Sequence, residues 1–278
     1  MKMKRILNKI VGVILLVLMV IFIYPLVVMI FGSFKDAVEL STNPAGFPSK
    51  LNFDNYLRLV KYANGMFFRS CLNSLGVSTI YTVLSILIAA MAAYAFSKFD
   101  FKGKNLLFAI IIGTIMVPTE LKMPALYIMF SKMGILDTYI VQILPTLASV
   151  FTMFLIRQHM NGLPDALLEA GKIDGAGHIK IFTAIVLPLV KPALGAMAIL
   201  QFLGKWNDFL WPSMMVTSVK KMPVMVILPT LNDTLDVYTK PMELIMAGCV
   251  CVTVPLFIVF ISNHDKFMSS VSMGAVKG

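Results

Sequence analysis

Six apolar runs divide this sequence, at about 11–31, 71–97, 106–130, 138–156, 193–211 and 242–262. Each is close to the roughly 20 residues that a helix needs to cross the hydrocarbon core of a bilayer. Lipid offers no partner to backbone N–H and C=O groups, so a run of this kind must close its own hydrogen bonds as a helix. Composition agrees: 58% of the 278 residues are hydrophobic and 14% charged, against roughly 25% charged in soluble domains. The expected fold is all-α and integral to the membrane, with six transmembrane helices over 11–262, an N-terminal segment at 1–10 and a C-terminal tail at 263–278. A signal peptide would have an apolar core of about 7–15 residues followed by small residues. The first run is longer and ends in Phe31-Gly32-Ser33-Phe34-Lys35, which reads as a retained helix.

A net charge of +10 would suggest nucleic acid for a soluble chain; between membrane spans, Lys and Arg are read first as orientation. With the N-terminus in the cytoplasm, the inner segments carry 13 Lys and Arg in 69 residues and the outer ones 9 in 75. Lys2, Lys4, Arg5 and Lys9 decide the matter, so both termini are expected in the cytoplasm and the protein in the cell membrane, with no nucleic acid partner. The second run is rich in small residues, among them Ser74, Ser78, Ser85, Ala89, Ala90 and Ala93, the composition that lets helix backbones approach closely in lipid.

Chemistry of its own is not expected. Cys71, Cys249 and Cys251 sit in or beside apolar runs, and His159, His178 and His264 lack ligand spacing, so neither a disulfide nor a metal site is indicated. No GxxxxGK[ST] phosphate loop occurs, and the GAG at 175–177 lacks the context of a nucleotide fingerprint. Without a paired nucleophile and base in the spans, an intramembrane enzyme has no support.

Between the fourth and fifth runs lies LPDALLEAGKIDGAGHIKIFTAIVLP, residues 163–188, a polar stretch in an otherwise apolar chain. Pro164, Asp165 and Glu169 suit a helix start. Leu163, Leu167 and Ala170 then follow i, i+4, i+7 on one face and Asp165, Glu169 and Lys172 on another, a short amphipathic helix that Asp174-Gly175-Ala176-Gly177 ends. A helix resting on the membrane surface would read the same way; Ala170, Gly171 and Gly175 favour a close-packed partner instead.

These residues resemble a known family. Glu169-Ala170-Gly171, Gly175, Ile185 and Leu187-Pro188 look like the EAA loop of permease subunits of binding-protein-dependent ABC importers, departing from it where the third Ala is Gly171. Lys205-Trp206-Asn207-Asp208-Phe209-Leu210-Trp211-Pro212 is similar to a segment of the carbohydrate branch, and Gly274-Ala275-Val276-Lys277-Gly278 to the end of the maltose-type second permease. The resemblance implies a cytoplasmic coupling helix between spans four and five, seated in a groove of an ATPase subunit. Glu169 would be its polar anchor, Leu167 and Ala170 its buried face and Gly175 the turn back, with Asp174 beside it, and the tail 274–278 would touch the ATPases. It further implies two ATPase subunits that bind ATP and Mg, a second permease and an external solute-binding protein, with no cofactor in this chain.

Ionisable groups inside spans are costly and so are functional candidates. Two pairs stand in the spans, Glu120 with Lys122 and Lys205 with Asp208. Glu120, Gln201, Asn207 and Asp208 could line a path for a polar solute, with Trp206 and Trp211 supplying aromatic faces; interfacial anchoring is the other reading of the same residues. The expectation is a sugar or oligosaccharide permease subunit of an ABC importer, moved by alternating access. The alternative is an ion-coupled secondary carrier using Glu120 or Asp208.

Overall fold

The computed structural model describes residues 2–231 and 241–275, with side chains at 7–231 and 241–262. Helices follow one another as α1 (Lys2–Gly32), α2 (Ala37–Thr42), α3 (Asp54–Lys61), α4 (Met66–Lys98), α5 (Lys104–Gly113), α6 (Thr119–Lys132), α7 (Tyr139–Ile143) and α8 (Val150–Asn161). They continue as α9 (Asp165–Ile173), α10 (His178–Ile181), α11 (Leu187–Leu189), α12 (Lys191–Trp206), α13 (Leu210–Met215), α14 (Val224–Thr230) and α15 (Met242–Ala275). No strand occurs among the described residues.

Among the described residues three helices are long and apolar enough to cross a membrane alone: Leu7–Gly32 of α1, the whole of α4, and Met242–Ser262 of α15. Three further crossings are bent pairs, Lys104–Met116 with Thr119–Lys132 at 97°, Tyr139–Thr146 with Val150–Asn161 at 49°, and His178–Leu189 with Lys191–Trp206 at 79°. Counting each pair once makes six, the number of apolar runs.

Each bend has a local cause. Pro118 pushes Val117 to φ −86°, ψ 112°, out of the helical region. At the second bend Ser149 leaves the helix (φ −71°, ψ 104°) and its hydroxyl accepts from the Thr152 N–H, which starts a new helix. Pro192 has no N–H to offer Pro188 four residues back, and the chain turns at Val190. The third pair departs from the run at 193–211: its helix begins at His178 and stops at Trp206, and Leu210–Met215 forms a separate turn.

The chain divides into two compact units, Met1–Arg69 with Val226–Pro255, and Ser70–Met225 with Leu256–Gly278. In the first, α1 exposes apolar side chains all round from Leu7 to Leu26, as a lipid-facing helix does. Beyond it the segment 33–56 is built around Lys35. The Lys35 side chain is fully buried, and its ammonium donates to the carbonyls of Asn43 (2.5 Å) and Gly46 (2.7 Å). Asn55 Nδ2 donates to the carbonyls of Ser33 and Lys35, and Arg58 pairs with the buried Glu243 at 3.0 Å. Lys35→Met would keep the stem but leave two inward carbonyls without their donor, a cost of about 1–3 kcal/mol. Faster proteolytic cleavage within 36–53 is the expected result in membrane vesicles; an unchanged rate would mean that apolar contacts such as Phe31–Phe47 suffice.

The core of the second unit joins Ala89, Ala90, Ala93 and Phe96 of α4 to Met153, Ile156 and Met160 of α8, Leu168 of α9, and Ile181, Phe182 and Val186 beyond. The small-residue run is thus where α4 meets its neighbours. Elsewhere in this unit Asp137 clasps the segment after α13. Its carboxylate accepts from the N–H groups of Thr217 and Ser218, from the Ser218 hydroxyl and from Lys221. The Ser218 bonds chiefly, with help from Lys221 and Thr217, lower the Asp137 pKa to about 2. A lowered carboxylate pKa stabilises above the ordinary value of 3.8 and loses that contribution as pH falls through about 2. Asp137→Asn should therefore lower stability, read as Tm in detergent, by about 1 kcal/mol after solvent screening, a loss that is constant from pH 5 to 8 and vanishes near pH 2.

Candidate functional site

The polar stretch 163–188 folds as two helical legs joined by a turn. Pro164, at φ −58° and ψ 131°, is the N-cap rather than the first helical residue, and Asp165 opens α9. At the far end Asp174 is the C-cap and Gly175 adopts φ +75°, a conformation that costs other residues about 1–2 kcal/mol. The Ala176 N–H then donates to Gly171 O and the Gly175 N–H to Lys172 O, a Schellman closure. In the returning leg Pro188 cannot donate to Ala184. The backbone widens to a π turn over Phe182–Val186, where the Leu187 N–H reaches Phe182 O.

Nine residues are too few for a stable isolated helix, so α9 depends on what it touches. The i, i+4, i+7 spacing put Leu163, Leu167 and Ala170 on one apolar face. In the structure Leu168 and Gly171 turn into the chain's own core, while Leu167, Ala170, Glu169 and Lys172 remain exposed. Gly171 explains the rotation: a Cβ there would lie 2.8 Å from Ile185 Cδ1 and 3.3 Å from Ile181 Cγ1. The returning leg packs directly on the glycine, so the departure from the EAA pattern at this position is a seam within the loop. Ile185 lies over that seam, Leu187 is half-buried and Pro188 exposed. Turned outward is an apolar patch that includes Ile173, 86% exposed, which pattern reading passed over.

The loop is held from behind by residues that charge counting treated only as topology signals. Lys98, the last residue of α4, keeps 6% of its side chain exposed and donates to Leu163 O and Asp165 Oδ1, both at 2.7 Å. The Lys98 ammonium, by hydrogen bond and charge, and Lys172 by charge, lower the Asp165 pKa. Ser97 donates to Asn161 Oδ1 (2.8 Å), and Arg157 Nε donates to Phe96 O (3.0 Å) while its guanidinium lies 3.9 Å over the Phe108 ring.

A second feature lies where two bent pairs break. A cavity of about 280 Å³ is lined by Tyr81, Lys122, Thr146, Ser149, Phe151 and Trp211, among others. The Tyr81 hydroxyl lies 3.1 Å from both Thr146 O and Gln201 Oε1. Gln201 Nε2 donates to the Thr152 hydroxyl, which also accepts from Ser149 at 2.9 Å. Above the Tyr81 ring, 5.3 Å from its centroid, sits the Lys205 ammonium, itself 2.8 Å from Asp208 Oδ2.

Of the five path candidates, Gln201 joins this network through Tyr81, and Asp208 through Lys205. Glu120 lies exposed in the first turn of α6 and Asn207 caps α12, neither lining the cavity. Trp206 offers no aromatic face here: it is 1% exposed and stacked on Phe202, because its ring fills the core beside α12. Of the two tryptophans only Trp211 lines the cavity, its Nε1 donating to Val141 O. Tyr81 escaped sequence reading because a single polar group in an apolar run carries no signal of which side it faces, whereas Lys122, paired with Glu120 in the sequence, does line the cavity. At the C-terminus, Gly274 and Ala275 end α15, and 276–278 lie outside the described residues.

Among the described residues no cluster of His, Cys, Asp or Glu could hold a metal ion. Comparison with known proteins finds similar transport permeases. The chain is 36% identical over 259 residues, 92% of its length and 91% of the other, to the arabinooligosaccharides transport system permease protein AraQ of Halalkalibacterium halodurans. It is 29% identical to the maltodextrin transport system permease protein MdxG of Bacillus subtilis, over 99% and 98% of the two chains. Its fold is similar to that of a chain in the crystal structure of a bacterial ABC transporter involved in the import of the acidic polysaccharide alginate, with a TM-score of 0.85, 22% identity, and 96% and 98% coverage. Residues 82–271 match the model of the binding-protein-dependent transport system inner membrane component, and the chain belongs to that family.

Proposed function

We propose that this chain is a permease subunit of an ABC importer for a sugar or oligosaccharide, the solute class named for its relatives. In this reading α9 is the coupling helix, and the observation that carries it is the outward patch of Leu167, Ala170 and Ile173 on a helix braced from behind by Lys98 and Gly171. Glu169 stands beside the patch as its polar anchor. The motor is supplied by two separate ATPase subunits, which bind ATP and Mg; the chain itself has no phosphate loop. A second permease and an external solute-binding protein complete the importer in the cell membrane, with the loop 163–188 and both termini in the cytoplasm and the tail 274–278 near the ATPases.

Mechanically, closure of the ATPase pair displaces α9 and rocks the bent helices around the Tyr81 cavity, an alternating-access cycle without covalent chemistry in this subunit. The hydroxyls of Tyr81 and Ser149, which line the cavity and are backed by Gln201 and Thr152, suit hydrogen bonding to a polyhydroxylated solute. The test is uptake into vesicles by the assembled complex. Vanadate should stop it and an ionophore should not. The opposite result would select the ion-coupled carrier, in which Glu120 or Asp208 carries the ion.

A further inference from the structure

The two features of the second unit are joined by one helix. Lys98 ends α4 at α9, and Tyr81 lies on the same helix roughly 25 Å back at 1.5 Å rise per residue. We propose that α4 is the lever that carries the displacement of α9 to the cavity, with Lys98 and Tyr81 as the positioning residues at its two ends. This rests on the reading of α9 as the coupling helix.

Three observations support the assignment. First, the last turn of α4 grips the loop and its approach directly. Phe96 O accepts from Arg157, Ser97 donates to Asn161, and Lys98 donates to Leu163 O and Asp165. Backbone carbonyls at a helix end need partners from outside the helix, and Arg157 meets that need at Phe96. The Lys98 ammonium is largely withdrawn from water, so breaking its contact with α9 would leave a poorly hydrated charge. α4 and α9 are therefore expected to move together.

Second, the covalent route that leads on from α9 to Gln201 is compliant. Downstream, before Gln201 is reached, the chain passes a π turn at Phe182–Val186 and then a 79° bend at Val190; upstream, α8 reaches the cavity at the 49° bend that separates it from α7. Each break lacks the continuous ladder of hydrogen bonds that makes a helix stiff, and a push entering there is absorbed as a change of angle. From Ser70 to Lys98, by contrast, α4 runs as one helix without proline.

Third, the far contact is positioned to report a shift. The Tyr81 hydroxyl touches Thr146 O, in the break between α7 and α8, and Gln201 on α12. Sliding α4 by one or two ångströms would take both contacts beyond hydrogen-bond range and alter the cavity wall.

The experiment uses the complete complex of this chain, its partner permease, ATPases and binding protein in proteoliposomes. It reads labelled oligosaccharide imported per ATP hydrolysed, with arabinotriose as probe, or maltotriose where the parental complex imports that instead. Lys98→Gln is expected to lower the ratio roughly tenfold, the loss of charge-assisted hydrogen bonds, while ATPase co-purification and hydrolysis stay within about twofold. Lys98→Arg should restore at least half of the ratio. Tyr81→Phe should lower it too, and the double variant Lys98→Gln, Tyr81→Phe should be no worse than Lys98→Gln alone, because the two residues act in series. A parental ratio in Lys98→Gln, or fully additive losses in the double variant, overturns the lever. Should Lys98→Gln not assemble, Asp165→Ala removes the acceptor of the same contact at an exposed position; a drop of at least about threefold supports the proposal and an unchanged ratio overturns it. The coupling reading fails separately: if substitutions on the outward patch of α9 leave ATPase binding intact, α9 is not the seat, whatever Lys98 does.

Discussion

Replacing Leu167 and Ile173 together with aspartate is expected to release the ATPase subunits of the proposed complex and abolish ATP-driven uptake, with binding weakened at least about 100-fold. Both side chains point away from the chain's own core, at 42% and 86% exposure, so the change leaves the Leu168–Gly171 seam intact. An aliphatic side chain seated in an apolar groove contributes about 1.5–3 kcal/mol, and a carboxylate in its place adds the cost of burying a charge. Co-purification of ATPase with the tagged permease reads the effect. The double alanine variant should give an intermediate loss, because it removes the apolar contact without adding charge. Full ATPase recovery with the aspartate pair would place the docking surface elsewhere.

Gly171→Leu should unfold the loop locally and end uptake, where Gly171→Ala should be close to neutral. The alanine Cβ would come 2.8 Å from Ile185 Cδ1, but that atom ends a flexible side chain and can swing aside. Alanine also regains about 1 kcal/mol of helix propensity over glycine. Leucine has no such escape, since Ile181 lies on the same seam 3.3 Å from the Cβ position. Overpacking of this kind costs about 1–3 kcal/mol, a large fraction of what a nine-residue helix can draw on. Tm in detergent together with vesicle uptake separates the two variants; a leucine variant matching the parent in both would show that the two legs do not pack through Gly171.

The position of the loop was legible because charge, glycine and proline stand out against apolar sequence, and the EAA spacing marked its two legs. Its facing was not. A helical wheel separates polar from apolar residues but does not say which of two adjacent stripes turns inward. Leu167-Ala170 and Leu168-Gly171 differ by one residue, about 100° of rotation, and the choice fell to a missing Cβ at position 171. Lys98 was visible as a cation following the second run, yet nothing local ties it to Asp165, 67 residues later. The cavity was still less accessible. Tyr81, Thr146, Thr152 and Gln201 come from three separate stretches, and the bend at 147–149 helps bring them to one place.

What the sequence by itself determined is the kind of molecule: lipid leaves an apolar run of about twenty residues no conformation but a helix, so run length and number carry through to six crossings. Proline and the serine cap supply the local cause of each break, but Pro25, Pro124 and Pro255 sit inside continuous helices, so the sequence alone did not say which prolines would break a span. Only the tertiary structure decided which side of α9 looks outward, which cation holds it and which polar groups share a cavity. Those outcomes depend on contacts between residues far apart in the chain, and their energies are set by fit across a seam that no stretch of sequence contains alone.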